Sequence, residues 1–597
     1  MPVIGISVKQ LNTLLGQTLS PEMLGDTLEK LGCDLDDIAQ SMLYQCPKCG
    51  TIGDKLEHED PLKRCTICGY ESDTPFECVE KDQVIRLDLL PGRPDLFDAG
   101  GLSRALKGYL GIETGLPEYK VQESGIDVFI DEAFCDPKSY RPYIVCAVVE
   151  MPPIDSLLLR TIMKLQENLH WGIGRDRKLC AIGVHNLDVI QGPIYYRLFA
   201  PDGIKFCPLG YPTTQMTPKD ILEKHPKGVA YNHLLENVEL YPILMDSKDM
   251  VLSFPPIING DMTKLKVGSS RLFIDVTGTN PNDIQKALKT LVTSLAELGG
   301  TVKSVKIHSK KGDLVTPDLN PAYINIDSNE ACRWLGLNLS HEDILHYLNK
   351  MRFSVEGNGP KYKIGYPAFR TDMKHEVDVF EDLAIAYGYT NMPMHLVPTM
   401  TIAKERIEEK LAQSARSVMI GLGFDEIFSL MITSKENHFE KLRISSEENK
   451  YVLLMNSKLA EYNIVRTHLM TGLLEALSKN KLKPIPQKYF EVGNVVLVGG
   501  THETGTMEEK RLAFAIIGEN ASYAQARSIV DSVLRELGIQ GTYEAIHTDF
   551  CIDGRVAQVH LSNGLQAYVG EVHPAVLNAF DLNYPVVAGE ISLAKIF

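Results

Sequence analysis

The sequence predicts an α+β protein of several domains, and three observations carry that expectation. The chain is too long for one core, a helix-turn-helix-like unit led by a strand occurs twice, and the last third alternates helices with strand-like stretches. At 597 residues the chain exceeds the roughly 250 to 300 residues at which single cores stop growing, so about three to five domains are expected. The boundaries are placed at 1–117, 118–312, 313–396 and 397–597, with an insertion at about 42–78 in the first.

The repeat is ungapped. Residues Ile4 to Leu35 align with Ile324 to Val355, and nine positions are identical, including Leu15/Leu335, Gly16/Gly336, Ser20/Ser340 and Glu22/Glu342. In each copy a strand leads to a helix stopped at the Leu-Gly pair. Ser20 or Ser340 then caps a second helix, with a glutamate in its first turn favouring the dipole. Duplication explains why glycine, cap and acid stay in register.

Between the copies, strand-like stretches such as Tyr143 to Val149 and Leu272 to Val276 mix with Pro- and Gly-rich loops, the pattern of an α+β domain. It closes with a helix from Pro281 to Leu298 that repeats Ile284, Ala287, Leu288, Leu291 and Leu295 at helical spacing. From Thr401 onward, helix alternates with strands such as Leu512 to Ile517 and Ala567 to Val572.

Composition excludes some classes. With 44% hydrophobic and 23% charged residues and a mean hydropathy of -0.08, the chain reads as soluble globular material rather than a disordered or fibrous one. No apolar run approaches the roughly 20 residues of a membrane span, and the start MPVIGISVKQ lacks a secretory pattern, so a cytoplasmic protein is expected. A net charge of -16 argues against a nucleic-acid footprint over the whole surface. The basic runs Lys303 to Lys311 and Lys479 to Lys488 read as solvated faces.

Twelve cysteines are too dilute for a disulfide scaffold. Four form the pairs Cys46-Pro-Lys-Cys49 and Cys65-Thr-Ile-Cys68, separated by fifteen residues, the spacing that closes four thiolates around Zn²⁺. With no open position the ion is structural and holds up a small inserted ribbon. The other eight cysteines are expected to be buried small hydrophobes.

A second metal candidate is the acidic segment Arg370 to Tyr389. It begins after Pro367 and ends at Gly388, so it reads as a capped helix with Val377, Phe380, Ala384 and Tyr387 on its apolar face. Asp378, Glu381 and Asp382 fall at i, i+3 and i+4 with Asp372 just before them, a set of carboxylates suited to a hard cation. The alternative is a solvated acidic face with Asp372 as N-cap.

This segment resembles the R-x-D-x-x-x-E-x-D-x-x-E-[DE]-hydrophobic-A-x-x-Y-G-Y signature of phenylalanyl-tRNA synthetase beta subunits. Gly92-Arg93-Pro94-Asp95-Leu96, Tyr489-Phe490-Glu491-Val492-Gly493 and Gly570-Glu571-Val572-His573-Pro574 are similar to the family's first and last domains, in the same order. The resemblance implies Mg²⁺ bound by Asp372, Asp378, Glu381 and Asp382 where two subunits meet. It also implies an alpha-subunit partner in an α2β2 tetramer, tRNA(Phe) as a substrate, and ATP used by the assembled enzyme. The chain is similar to the shorter archaeal and eukaryotic type, and its zinc ribbon is an addition to the family core.

The resemblance further implies that residues 397–597 form a degenerate class II synthetase-like antiparallel-sheet domain. An ATP site of that class needs fixed arginines. Here Lys488-Tyr489-Phe490-Glu491 puts Tyr489 where an arginine belongs, and Tyr584 to Phe597 holds no arginine. The aminoacylation site is therefore expected on the alpha subunit. This chain is expected to edit, because an apolar pocket rejects one added hydroxyl only about a hundredfold. Leu244, Ser253, Asp275 and Thr277 match positions that line the editing pocket in archaeal relatives. No Ser-His-Asp or Cys-His set is evident in the sequence. Competing readings are a free-standing aminoacyl-tRNA hydrolase and a structural RNA-binding protein, and a stable alpha partner separates both from the first.

Overall fold

A computed structural model describes residues 3–596 apart from 49–51, 66–69, 90, 137, 398, 460 and 500–501. The chain divides into two compact units, Met1–His395 and Leu396–Phe597.

In the first unit the repeat is realised element by element. Strands Val3–Ser7 and Ala322–Asp327 lead to helices Val8–Leu15 and Ser328–Leu335. Each helix ends on a left-handed glycine, Gly16 at φ 70° and Gly336 at φ 68°, a conformation in which any Cβ is strained. Ser20 accepts from the Met23 amide at 3.2 Å and Ser340 from the Asp343 amide at 3.1 Å, capping Pro21–Lys30 and His341–Lys350.

The likeness runs further than the ungapped alignment. Val3–Ser7 pairs antiparallel with Glu77–Asp88, and Ala322–Asp327 with Lys361–Tyr366. Each of these returning strands leads to an Arg-x-Asp triplet, Arg93 to Asp95 and Arg370 to Asp372. Five residues past each arginine stands a helix N-cap: Asp98 for Ala99–Tyr109 and His375 for Glu376–Tyr387. The offset between copies falls here from 320 to 277, because the first copy carries the ribbon. A constant-offset comparison therefore loses the match after Leu35.

The ribbon extends the long strands Asp34–Gln45 and Glu77–Asp88, with Ile52–Leu56 at the sheet edge. Between the copies lies a ten-stranded sheet in which Arg271–Gly278 runs antiparallel between Tyr143–Glu150 and the edge strand Cys180–Asn186. Leu272, Ile274 and Val276 pack in one cluster with Ile284, Leu288 and Leu291 of helix Pro281–Glu297. Strand alternation sends Phe273, Asp275 and Thr277 to the other face, where Phe273 joins Leu244 and Tyr196. Both faces of this strand are buried.

The second unit is a seven-stranded sheet, antiparallel except for the edge strand Asp425–Glu426. Helices Ile407–Gly421 and Tyr523–Glu536 pack on one face and Met470–Lys479 on the other. Among the described residues no helix is long and apolar enough to cross a membrane.

Two expectations are corrected or refined. Of the eight cysteines outside the CxxC pairs, Cys33, Cys146, Cys180 and Cys551 are buried, but Cys78 and Cys135 are exposed and Cys207 and Cys332 are half-buried. Cys78 and Cys135 lie at the outer ends of their elements, in the ribbon strand and in a short 3-10 turn, where no second layer covers them. In the first basic run Lys303 pairs with Glu150 at 2.8 Å, Lys306 with Asp313 at 3.1 Å and Lys310 with Glu132 at 3.0 Å, and in the second Lys481 pairs with Asp581; the Lys306, Lys310 and Lys481 side chains stay exposed, as solvated faces do. Gly16→Ala and Gly336→Ala are each expected to cost about 1 to 2 kcal/mol from the left-handed strain alone, read as a lower urea midpoint for the first unit.

Candidate functional site

The acidic segment is organised by one arginine. Arg370 is buried, and its Nε and Nη2 donate to the two oxygens of Asp372 at 3.0 and 2.7 Å. Nη2 also donates to Asp382 Oδ2 at 2.6 Å, and the guanidinium stands 5.1 Å over the Phe353 ring. Arg93 clasps Asp95 in the same bidentate way, at 2.9 Å for both bonds. The two clasps share a field: Arg93 is acted on by Asp372 and Asp382, and Asp95 by Arg370. Burial pushes the Asp382 carboxyl above the usual range, and the attraction of Arg370 and Arg93 offsets only part of that.

The helix starts at Glu376, not after Pro367, because the Arg370–Asp372 clasp holds the intervening loop out of helical geometry. Its N-cap is His375 rather than Asp372, and Asp378 Oδ2 accepts from the Lys374 and His375 amides at 2.7 Å each. Phe380 and Ala384 are buried as expected, joined by Val379, Leu383 and Ala386.

The four carboxylates thus have separate duties. Asp372 and Asp382 serve Arg370, Asp378 closes the helix, and Glu381 is exposed. Among the described residues no three His, Cys, Asp or Glu side chains are arranged to hold a metal ion. The donor chemistry, oxygen only, suits Mg²⁺, which takes one or two carboxylates and keeps its waters. Asp378 and Glu381, whose carboxylates are not tied to Arg370, meet that smaller demand.

In the ribbon, Cys46 and Cys65 share one small buried cluster with Tyr44 and Phe76. Gln45, just before Cys46, pairs with Ile52, and the Cys65 amide donates to the Tyr70 carbonyl at 2.8 Å. Cys49 and Cys68 lie outside the described residues. Cys46 and Cys65, brought into one cluster from separate segments, are two of the four thiols such a zinc site needs.

In the ten-stranded sheet, Leu244, Ser253, Asp275 and Thr277 are each at most 2% exposed. Leu244 and Ser253 are cross-strand partners and so share a face. Ser253 Oγ is buried with no hydrogen-bond partner. Asp275 Oδ1 lies 2.9 Å from His185 Nε2, and His185 Nδ1 lies 2.8 Å from Thr263 Oγ1. A hydroxyl, an imidazole and a carboxylate thus stand in one buried row, which the sequence did not reveal. Its trace there is Gly183: a Cβ at this position would meet Asp275 Oδ1 at 2.2 Å and His185 Nε2 at 2.7 Å.

Thr277 is held by a residue that sequence reasoning also missed. Arg141, fully buried and left-handed at φ 61°, donates from Nε to Thr277 Oγ1 at 3.2 Å and from Nη2 to the Arg177 carbonyl at 2.9 Å. Its own carbonyl accepts from the Tyr196 hydroxyl at 2.9 Å. A non-glycine residue keeps that backbone only when surrounding bonds over-determine it. Burial, with Asp275 nearby, also pushes the Cys146 thiol up.

In the second unit, Tyr489 lies on the strand Gln487–Val498 beside Asp425. Glu491, two residues on, is buried; its Oε1 accepts from Arg466 Nη1 at 2.7 Å and its Oε2 from the Ser429 hydroxyl at 2.5 Å.

Arg370→Met is expected to destabilise the first unit by about 3 to 5 kcal/mol near neutral pH, the cost of leaving buried carboxylates unpaired. Asp382 has a raised carboxyl in the fold, so its favourable contribution is complete below the unfolded carboxylate range and is lost as pH rises through the folded value. Without Arg370 that carboxyl is raised further, so the variant gains more from protonation than the parent and the deficit shrinks on acidification, as read by amide exchange in helix Glu376–Tyr387.

Comparisons with known proteins follow the same division of the chain. Residues 393–593 match the family described as phenylalanyl tRNA synthetase beta chain CLM domain, and residues 324–389 match the tRNA synthetase B5 domain. The Pyrococcus abyssi phenylalanine--tRNA ligase beta subunit is 35% identical over 598 residues, covering 100% of both chains. Those of Methanothrix thermoacetophila, at 39% over 85% of this chain and 92% of the relative, and Archaeoglobus fulgidus, at 39% over 90% and 95%, are similar as well. A solved N-terminal fragment of the Pyrococcus horikoshii phenylalanyl-tRNA synthetase beta subunit superposes with a TM-score of 0.56 at 36% identity, covering 65% of this chain and 99% of that one.

Proposed function

The chain belongs to the phenylalanine--tRNA ligase beta-subunit family, and from that premise we propose that it completes a cytoplasmic α2β2 ligase whose alpha subunit activates phenylalanine with ATP. The assembled enzyme attaches phenylalanine to tRNA(Phe), and this chain hydrolyses tyrosine from mischarged tRNA. The observation that carries the division of labour is at Glu491: the strand that in a class II enzyme offers an arginine to ATP here has Tyr489, and its glutamate is tied to Arg466 and Ser429. The sheet keeps its packing without an ATP grip, as a fold keeps its shape after its chemistry has moved elsewhere.

Editing falls to the buried face around Asp275. Ser253 Oγ, on strand Val251–Phe254, lacks a partner, and a site built to hydrogen-bond a hydroxyl discriminates tyrosine from phenylalanine far better than an apolar one. Asp275 and Thr277 orient the tyrosine hydroxyl and water, Leu244 bounds the ring, and Arg141 and His185 fix the two polar groups. Of the four acidic residues Asp372, Asp378, Glu381 and Asp382, the pair not tied to Arg370, Asp378 and Glu381, would hold Mg²⁺, which would supply a charge bridge to the alpha subunit, with Asp372 and Asp382 held behind them by Arg370. Cys46, Cys49, Cys65 and Cys68 would hold a structural Zn²⁺ that pins the ribbon turns.

Co-expression with an alpha chain tests the reading. ATP-pyrophosphate exchange is expected from the assembly and not from this chain alone. Asp275→Ala in the assembly is expected to raise Tyr-tRNA accumulation with phenylalanine activation intact; unchanged misacylation removes Asp275 from the site. Metal analysis of the ribbon is expected to find about one zinc per chain, lost in Cys46→Ser.

A further inference from the structure

The second unit contains a cavity of about 720 Å³ that none of these roles uses, a volume within the roughly 300 to 1,000 Å³ of small-molecule sites. It lies on the sheet face opposite helices Ile407–Gly421 and Tyr523–Glu536. One part of its wall is apolar, with Leu497, Met507 and Phe550. The other is charged: Arg511 Nη1 donates to Glu590 at 2.7 Å and Nη2 to Glu509 at 3.1 Å. Two carboxylates thus face one guanidinium, and the wall carries an excess of negative charge.

The polar wall is incompletely bonded. Ser592, opposite Arg511 in register, has a buried hydroxyl with no partner; so do Arg511 Nε and His468 Nδ1. The His468 ring is pushed down to about 4, chiefly by burial, so it is neutral at physiological pH. Its Nε2 stands 3.2 Å from the His438 carbonyl, which only accepts, so Nε2 carries the proton and Nδ1 presents a lone pair. Native interiors pair nearly all such atoms, and here three orphans belong to residues lining one cavity: one accepts, one donates and one does either.

We propose that this cavity binds a small molecule with an apolar body, a primary ammonium and a neighbouring neutral carbonyl, the grouping of an α-amino amide or ester. The ammonium answers the carboxylate excess and the His468 lone pair. The carbonyl accepts from Arg511 Nε–H and the Ser592 hydroxyl, and the body lies against Met507 and Phe550. A free carboxylate in place of the amide would add negative charge to a wall that already has an excess.

Equilibrium dialysis of L-leucinamide against the chain assembled with its alpha subunit tests this. Saturable binding of about one equivalent per chain is expected, as for one small-molecule pocket. Isoamylamine, which lacks the carbonyl, and 4-methylpentanamide, which lacks the ammonium, should each bind at least about tenfold more weakly, the scale of one charge-assisted hydrogen bond. Met507→Trp, which fills the apolar end, should abolish the binding. Ser592→Ala, which breaks no existing side-chain bond, should weaken it, with charging of tRNA unchanged in both variants. Absence of saturable leucinamide binding, as from a cavity that holds only water, overturns the proposal. So does equal binding of 4-methylpentanamide, or binding that survives Met507→Trp and therefore belongs to another site.

Discussion

The burial of Arg370 beside Asp372 and Asp382 is the constraint on which the first unit's acidic segment depends. With Arg93 and Asp95 it makes two guanidinium groups and three carboxylates, and each charge removed from water has an opposite one against it. Such a network adds little net stability, because desolvation consumes most of the attraction. What it supplies is geometry. It holds the loop before helix Glu376–Tyr387, sets where the helix begins, and leaves Glu381 exposed while Asp382 turns inward.

The clasp is used twice because the unit is duplicated, but the copies have diverged where it matters. At the offset of the returning strands and helices, Asp378, Glu381 and Asp382 correspond to Gly101, Arg104 and Ala105. Arg104 is buried over the Phe369 ring at 3.5 Å, so the first copy uses this helix face for packing against the second. The acidic face is thus a feature of one copy placed on a scaffold common to both.

The ten-stranded sheet shows the opposite economy. A strand buried on both faces normally reads as continuous hydrophobics, and Asp275 and Thr277 break that rule in the middle of Arg271–Gly278. Buried polar groups must be partnered, and the partners come from three other segments: His185, Thr263 and Arg141. Gly183 yields the space and Arg141 accepts a left-handed backbone. Ser253 Oγ is left without a bond.

Periodicity and caps were enough to place both copies of the repeat, the helix Pro281–Glu297 and the main strands, because these depend on residues close in sequence. The metal-type spacings and the polar residues of strand Arg271–Gly278 were legible for the same reason. The row Thr263, His185 and Asp275 was not, since its members lie on separate elements and only sheet register brings them together. Nor was the fate of the four acidic side chains. Helical spacing placed Asp378, Glu381 and Asp382 on one side, but burial against Arg370 decided which serve the fold and which face water, and burial is a property of neighbours distant in sequence.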